Sequence, residues 1–203
     1  MKTFFTIPTS DLEMNPKMRH ALTLDWLKVP RILSGEYPLP LPERRFFTGQ
    51  EQEWWDGARK AAYWVVDTEY VVGAPGTPSR LTLIGGYYPG APFALQYWWG
   101  TSPELDLAWS EEYSKTVGCT STAFWNAIAD IPVIDDAMGV GMWAYKRVED
   151  PMLIHALLYS EWRHSLEFVT STHGEHIKVK HKMEDALAEY HCGDLAETLA
   201  CST

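Results

Sequence analysis

Basic residues are scarce in this chain. Lys and Arg together number 17 against 27 Asp and Glu, leaving a net charge of −10 over 203 residues. A dedicated nucleic-acid binder is usually basic, so the net charge weakens a simple DNA-binding reading without excluding it. An acidic protein still handles nucleic acid where metal ions neutralise its acidic site and its basic residues are local. Cysteine is scarce too. Cys119, Cys192 and Cys201 are the three, with no CxxC spacing. That argues against a disulfide framework or a thiolate zinc site and fits a reducing cytoplasm. No apolar run reaches the length of a membrane span, and "MKTFFTIPTSDLEM" is too short in apolar residues for a signal peptide. A membrane is therefore not an expected partner, and the expected location is cytoplasmic.

What is present is a core. Hydrophobic residues make up 46% of the chain, with ten Trp and ten Tyr, while charged residues stand at an ordinary 22%. This suits one compact domain rather than a disordered chain. Residues 1–60 read as an irregular arm, Pro-rich over "LSGEYPLPLPERRFFTG", where alternating Pro favours extended chain. Within it "GQEQEWWDGARKAA" suggests a short helix. The domain proper is expected over 61–203. "YWVVDTEYVVG", "RLTLIGGYY" and "FALQYWWG" read as strands separated by "APGTPS" and "PGAP", short turns that imply an antiparallel meander. A helix over "TSPELDLAWSEEYSKTVG" and a short strand over "CTSTAFWNA" follow. Helices then dominate. Asp150 and Pro151 give one a clear start, "HSLEFVTSTHG" forms another with Gly174 as its stop, and "MEDALAEYHCGDLAETLA" has apolar residues at helical spacing. The expected fold class is α/β, a central mixed sheet flanked by helices.

Three acidic elements stand out. Asp67 and Glu69 are two apart on a predicted strand, hence on one face. Bare anions there repel and are costly to bury, unless a divalent cation compensates them; the other reading is simply the strand's wet end. Asp130 follows a short strand and Asn126, with Pro132 two residues on. Alone it reads equally as a turn or cap residue. Tyr190 and Asp194 are four apart, neighbours on one helical face, a spacing that any amphipathic helix can carry.

In order, "DTE", "NAIADIPVI" and "YHCGD" resemble the three motifs of the DEDDy 3′–5′ exonucleases, the tyrosine branch of the DnaQ-like, RNase H-like superfamily. The resemblance is closest to the proofreading domain of bacteriophage-type family A DNA polymerases. "VEDPMLIHALLYSEWRHSLEFVTSTHG" is similar to the family's segment between the last two motifs, so the likeness spans about residues 62 to 200. It implies an RNase H-like exonuclease fold and two divalent ions, Mg2+ or Mn2+. By that resemblance Asp67 bridges both ions, Glu69 and Asp194 hold the ion that activates water, Asp130 serves the other ion, and Tyr190 orients the water. Thr68 and Asn126 are candidate substrate contacts. So are Lys180 and Lys182 in "GEHIKVKHK", a run that reads equally as a solvated loop. "EWWDG" and "QYWWG" could stack bases, although core packing suits most Trp better. The family aromatic before the second Asp is here Ala129.

The expected activity is hydrolysis of the 3′-terminal phosphodiester of single-stranded nucleic acid, DNA ahead of RNA, releasing nucleoside monophosphates. The sequence stops nine residues after Asp194 with no polymerase domain, so a separate polymerase subunit is an expected partner. The alternatives are an RNase D-like exoribonuclease and a replication docking module whose contact is "YPLPLPERRFF".

Overall fold

The structure, a computed structural model, describes residues 28–36, 41–160, 164–166, 168–169 and 184–202. Among these, six strands form one mixed sheet. Helix α1 (Val29–Ser34) precedes strand β1 (Arg44–Phe46) and helix α2 (Gln52–Lys60). Strands β2 (Tyr63–Val71), β3 (Arg80–Tyr87) and β4 (Ala94–Trp98) then run as the expected antiparallel meander. Helix α3 (Pro103–Val117), strand β5 (Ser121–Ala123), helix α4 (Ala127–Met138), a 3-10 turn (Met142–Ala144), strand β6 (Arg147–Glu149), helix α5 (Pro151–Leu158) and helix α6 (Glu184–Cys201) follow among the described residues. The sheet order is β1-β4-β3-β2-β5-β6, with β5 and β6 parallel to β2 and β1 parallel to β4.

Alternation along β2 divides the molecule into two layers. Trp64 and Val66 face a large aromatic core with Trp54, Trp55, Trp109, Tyr113 and Phe124. Helices α2, α3 and α4 supply much of that layer. Val65 faces the other way, onto Cys192 and Leu195 of α6. The two central glycines of β3 serve one layer each. A Cβ on Gly86 would come within 2.7 Å of the Trp64 ring, while one on Gly85 would come within 2.5 Å of the His191 ring.

The boundary expected at residue 60 requires correction. Arg44–Phe46 extends the sheet by pairing with Ala94–Gln96. Trp54, Trp55 and Ala58 of α2 are buried, and the Trp54 indole N–H donates to the Phe93 carbonyl at 3.0 Å. Residues 41–60 thus belong to the same core as the strands. The tryptophans of "EWWDG" are packing residues, and in "QYWWG" Trp98 stacks on Phe46 at 6.5 Å between centroids. Residues 1–27, the segment 170–183 with Lys180, Lys182 and Gly174, and most of the helix expected over "HSLEFVTSTHG" lie outside the described residues.

Candidate active site

The cleft arises because β5 is shorter than its partner. Pairing between β2 and β5 ends at Val65 and Ala123, yet β2 continues to Val71. Past Ala123 the chain turns away through Trp125 and Asn126. Asn126 has φ 79°, a left-handed conformation that Asn tolerates better than most residues. Helix α4 starts immediately after it. The opening lies beyond the carboxyl ends of the parallel strands, where open α/β sheets commonly hold ligands. Its volume is about 480 Å3, and Asp67, Thr68, Glu69, Tyr70, Asn126, Asp130, Tyr190 and Asp194 are among its lining residues.

Asp67 and Glu69 share the α6 face of β2 as their spacing predicts, and Asp194 meets them there. Each of the three offers a carboxylate oxygen within 4.8 Å of the others. A magnesium octahedron with bonds near 2.1 Å sets ligand oxygens roughly 3–4.2 Å apart. The cluster therefore fits a divalent ion with a small contraction, and all-oxygen donors are the set that a hard cation prefers. Tyr190, one turn before Asp194, lines the same cleft.

Asp130 reaches the cleft from the opposite layer. It is 4% exposed, and the Thr68 hydroxyl donates to its Oδ1 at 2.5 Å. Burial drives its carboxyl up to about 7; the Thr68 bond opposes this, while the charges of Asp150 and Glu69 add to it. Thr68, expected as a substrate contact, is buried and uses its hydroxyl to hold Asp130. Asp130 is neither a cap nor a turn residue. The helix begins at Ala127, so Asp130 lies at the end of its first turn and Pro132 in its interior. The carbonyl that loses a partner to Pro132 is that of Ile128, an exposed residue.

His191, Gln96 and a second role of Asp150 escaped the sequence reading. Asp150 caps α5 as expected, accepting from the Met152 and Leu153 amides at 3.0 and 3.3 Å. Its carboxylate also accepts from the Ala127 amide at 2.9 Å and the Asn126 amide at 3.4 Å. One buried carboxylate thus ties together the starts of α4 and α5 and fixes the loop that carries Asn126. His191 and Gln96, both fully buried, form the second support. The His191 Nε2 bonds to the Asp67 carbonyl at 2.9 Å, and its Nδ1 meets the Gln96 amide at 3.0 Å. Burial holds the imidazole down to about 4, so its 3.8 Å approach to the Asp67 carboxylate is no ion pair at neutral pH. Adjacency of His191 to Tyr190 was the only sequence signal, and Gln96 carried none.

No protein-family model matches the sequence, and no curated protein matches it. Solved structures do. Trypanosoma brucei RNase D in complex with RNA U12 superposes with a TM-score of 0.64 at 15% identity, over 79% of this chain and 61% of that one. Brucella melitensis NrnC with bound Mg2+ gives 0.57 at 17% identity, over 79% and 76%. Escherichia coli RNase D, an exoribonuclease involved in structured RNA processing, gives 0.58 at 13% identity, over 79% and 43%. The chain thus spans less than two thirds of either RNase D. At these identities the likeness establishes the fold, a mixed sheet between helices as in RNase D. It lends no support to the expected closeness to phage polymerase proofreading domains. Among the described residues no helix is long and apolar enough to cross a membrane.

Proposed function

We propose that this protein is a divalent-metal-dependent 3′–5′ exonuclease acting on the 3′ end of single-stranded nucleic acid, with RNA ahead of DNA. One observation carries the reading. Four carboxylates and a tyrosine from three distant segments line a single cleft, and three of those carboxylates already converge to cation-binding separation. Asp67, Glu69 and Asp194 would hold one ion, and Asp67 with Asp130 would hold a second. Bound divalent metal supplies Lewis-acid stabilisation of the departing 3′ oxygen and makes water a nucleophile at neutral pH.

The chain's own groups do the remaining work. The Tyr190 hydroxyl, both donor and acceptor, orients the attacking water. Asn126 presents its side chain to the cleft without capping its own helix, leaving the amide to contact the sugar–phosphate. Tyr70 and Trp125 add aromatic surface on which a terminal base can stack. The order of RNA before DNA reverses the expectation from sequence. Its support is that the similar structures are RNase D, one of them bound to RNA U12, and NrnC, also seen bound to pGG.

The test is digestion of 5′-labelled single-stranded RNA and DNA of matched sequence, with magnesium, with manganese and with EDTA, beside Asp67→Ala. A ladder shortening from the 3′ end, faster on RNA and lost in EDTA and in the variant, is the expected result. Folded protein that binds metal yet leaves both substrates intact would overturn the proposal.

A further inference from the structure

We propose that His191 and Gln96 are a positioning pair that sets helix α6 on the sheet and thereby fixes the separation of Asp194 from Asp67 and Glu69. The inference rests on the metal-site reading above. Asp67, Gly85 and Gln96 stand in one row across β2, β3 and β4. Neighbouring strands lie about 4.8 Å apart, so the row spans roughly 10 Å. The imidazole of His191 lies over the middle of it, above Gly85, and makes a hydrogen bond at each end. Gly85 is what leaves room, since any Cβ there would stand 2.5 Å from His191 Cε1.

The bonding pattern fixes the proton. The Asp67 carbonyl can only accept, so Nε2 carries the hydrogen at 2.9 Å. Nδ1 is then an acceptor, and the Gln96 amide nitrogen donates to it at 3.0 Å. The same amide nitrogen donates to the Ala188 carbonyl at 2.7 Å. Two points of α6, Ala188 and His191, are thereby pinned to two strands, and one of those strands carries Asp67 and Glu69. A rotation of α6 by one residue turns its side chains by about 100°. That would carry Asp194 away from its two partners and strand two buried hydrogen-bonding partners on the sheet. His191 has no exposed surface and is not among the residues lining the cleft. It acts through the Asp67 backbone and the helix, without touching substrate.

The test uses the full chain, four single variants and the His191→Leu/Gln96→Met double variant. His191→Leu and Gln96→Met remove the bonds, His191→Gln keeps an amide donor of similar reach, and Gly86→Ala disturbs packing against Trp64 on the opposite layer. Calorimetric titration with MnCl2 and thermal melting are recorded for each, with RNA digestion against magnesium concentration alongside. Outer ligand supports are typically worth about 10–100-fold in metal affinity. His191→Leu and Gln96→Met should therefore weaken Mn2+ binding by about tenfold or more. The double variant should be no weaker than the worse single. His191→Gln should recover most of the loss, and Gly86→Ala should lower the melting temperature with Mn2+ affinity unchanged. Long-range 1H–15N spectra of the metal-free protein should show His191 as the neutral Nε2–H tautomer. Unchanged Mn2+ affinity in both bond-removing variants, or the Nδ1–H tautomer, would overturn the proposal. Wild-type protein that binds Mn2+ but degrades no RNA or DNA would overturn the nuclease reading and leave this one standing.

Discussion

Replacing Asp130 by Asn should stabilise the metal-free protein while destroying its activity. The carboxyl is 4% exposed, and its folded-state pKa stands at about 7 against an ordinary 3.8. A carboxyl raised in the folded state favours the protonated form. Its contribution to stability is complete below the unfolded value and disappears as pH climbs through the folded one. Above pH 7 the folded chain therefore carries a buried anion close to Glu69 and Asp150. At 1.36 kcal/mol per pH unit, the rise corresponds to an upper bound of about 4 kcal/mol. Structural relaxation leaves roughly 2–3 kcal/mol as the working figure. Asn is nearly isosteric and its Oδ1 still accepts from Thr68, so only the charge changes.

The assay is thermal unfolding in EDTA, from pH 4 to pH 8, for both proteins. At this chain length each kcal/mol moves the midpoint by about 2–4 °C. The Asn variant should melt roughly 5–10 °C higher at pH 8, with the gap closing towards pH 4. Adding saturating magnesium should stabilise the wild type more than the variant, since binding to the native state raises stability by mass action. Digestion of RNA should fall by at least about 100-fold in the variant. A constant gap across pH, or a variant less stable at pH 8, would refute the claim that Asp130 is a charge held at a cost for function.

Asp150→Ala should cost about 2–4 kcal/mol, because four backbone N–H groups lose an acceptor and two helix starts lose a cap; circular dichroism melting measures it, and Asp150→Asn should fall between variant and wild type. Deleting residues 1–60 should abolish cooperative unfolding, since it removes β1 and the buried pair Trp54 and Trp55; a deletion variant with a sharp melt would restore the boundary expected from composition. Trp54→Ala in the intact chain should cost about 3–5 kcal/mol, with metal affinity measured by calorimetry unchanged.

Legibility followed sequence distance. The meander was readable because β2, β3 and β4 are rich in β-branched and aromatic residues and are joined by short turns; the i, i+2 pair Asp67 and Glu69 came with it. The helix bearing Tyr190 and Asp194 was equally local. What was hidden required partners far apart in sequence. Gln96 and His191 are 95 residues apart, and the parallel pairing that brings β1 beside β4 has no local signature. The error at residue 60 had a different origin. Proline over 38–42 made the whole segment look irregular, although Trp54, Trp55 and Ala58 already form one apolar helical face at i, i+1 and i+4.

Two residues of the cleft are held by groups that bring no charge: the Asp67 backbone by His191, and the Asp130 carboxylate by the Thr68 hydroxyl. A lysine or arginine in those places would neutralise the cluster and compete with a cation for its oxygens. Neutral supports keep the geometry and leave the negative charge in place. A His191→Lys variant distinguishes the two designs. If geometry alone mattered, this variant should bind Mn2+ as well as Gln96→Met, which loses the same Nδ1 bond. If uncompensated charge is required, its Mn2+ affinity should fall at least about tenfold below that of Gln96→Met, even in variant protein that melts like the wild type. Calorimetric titration of that protein decides between them.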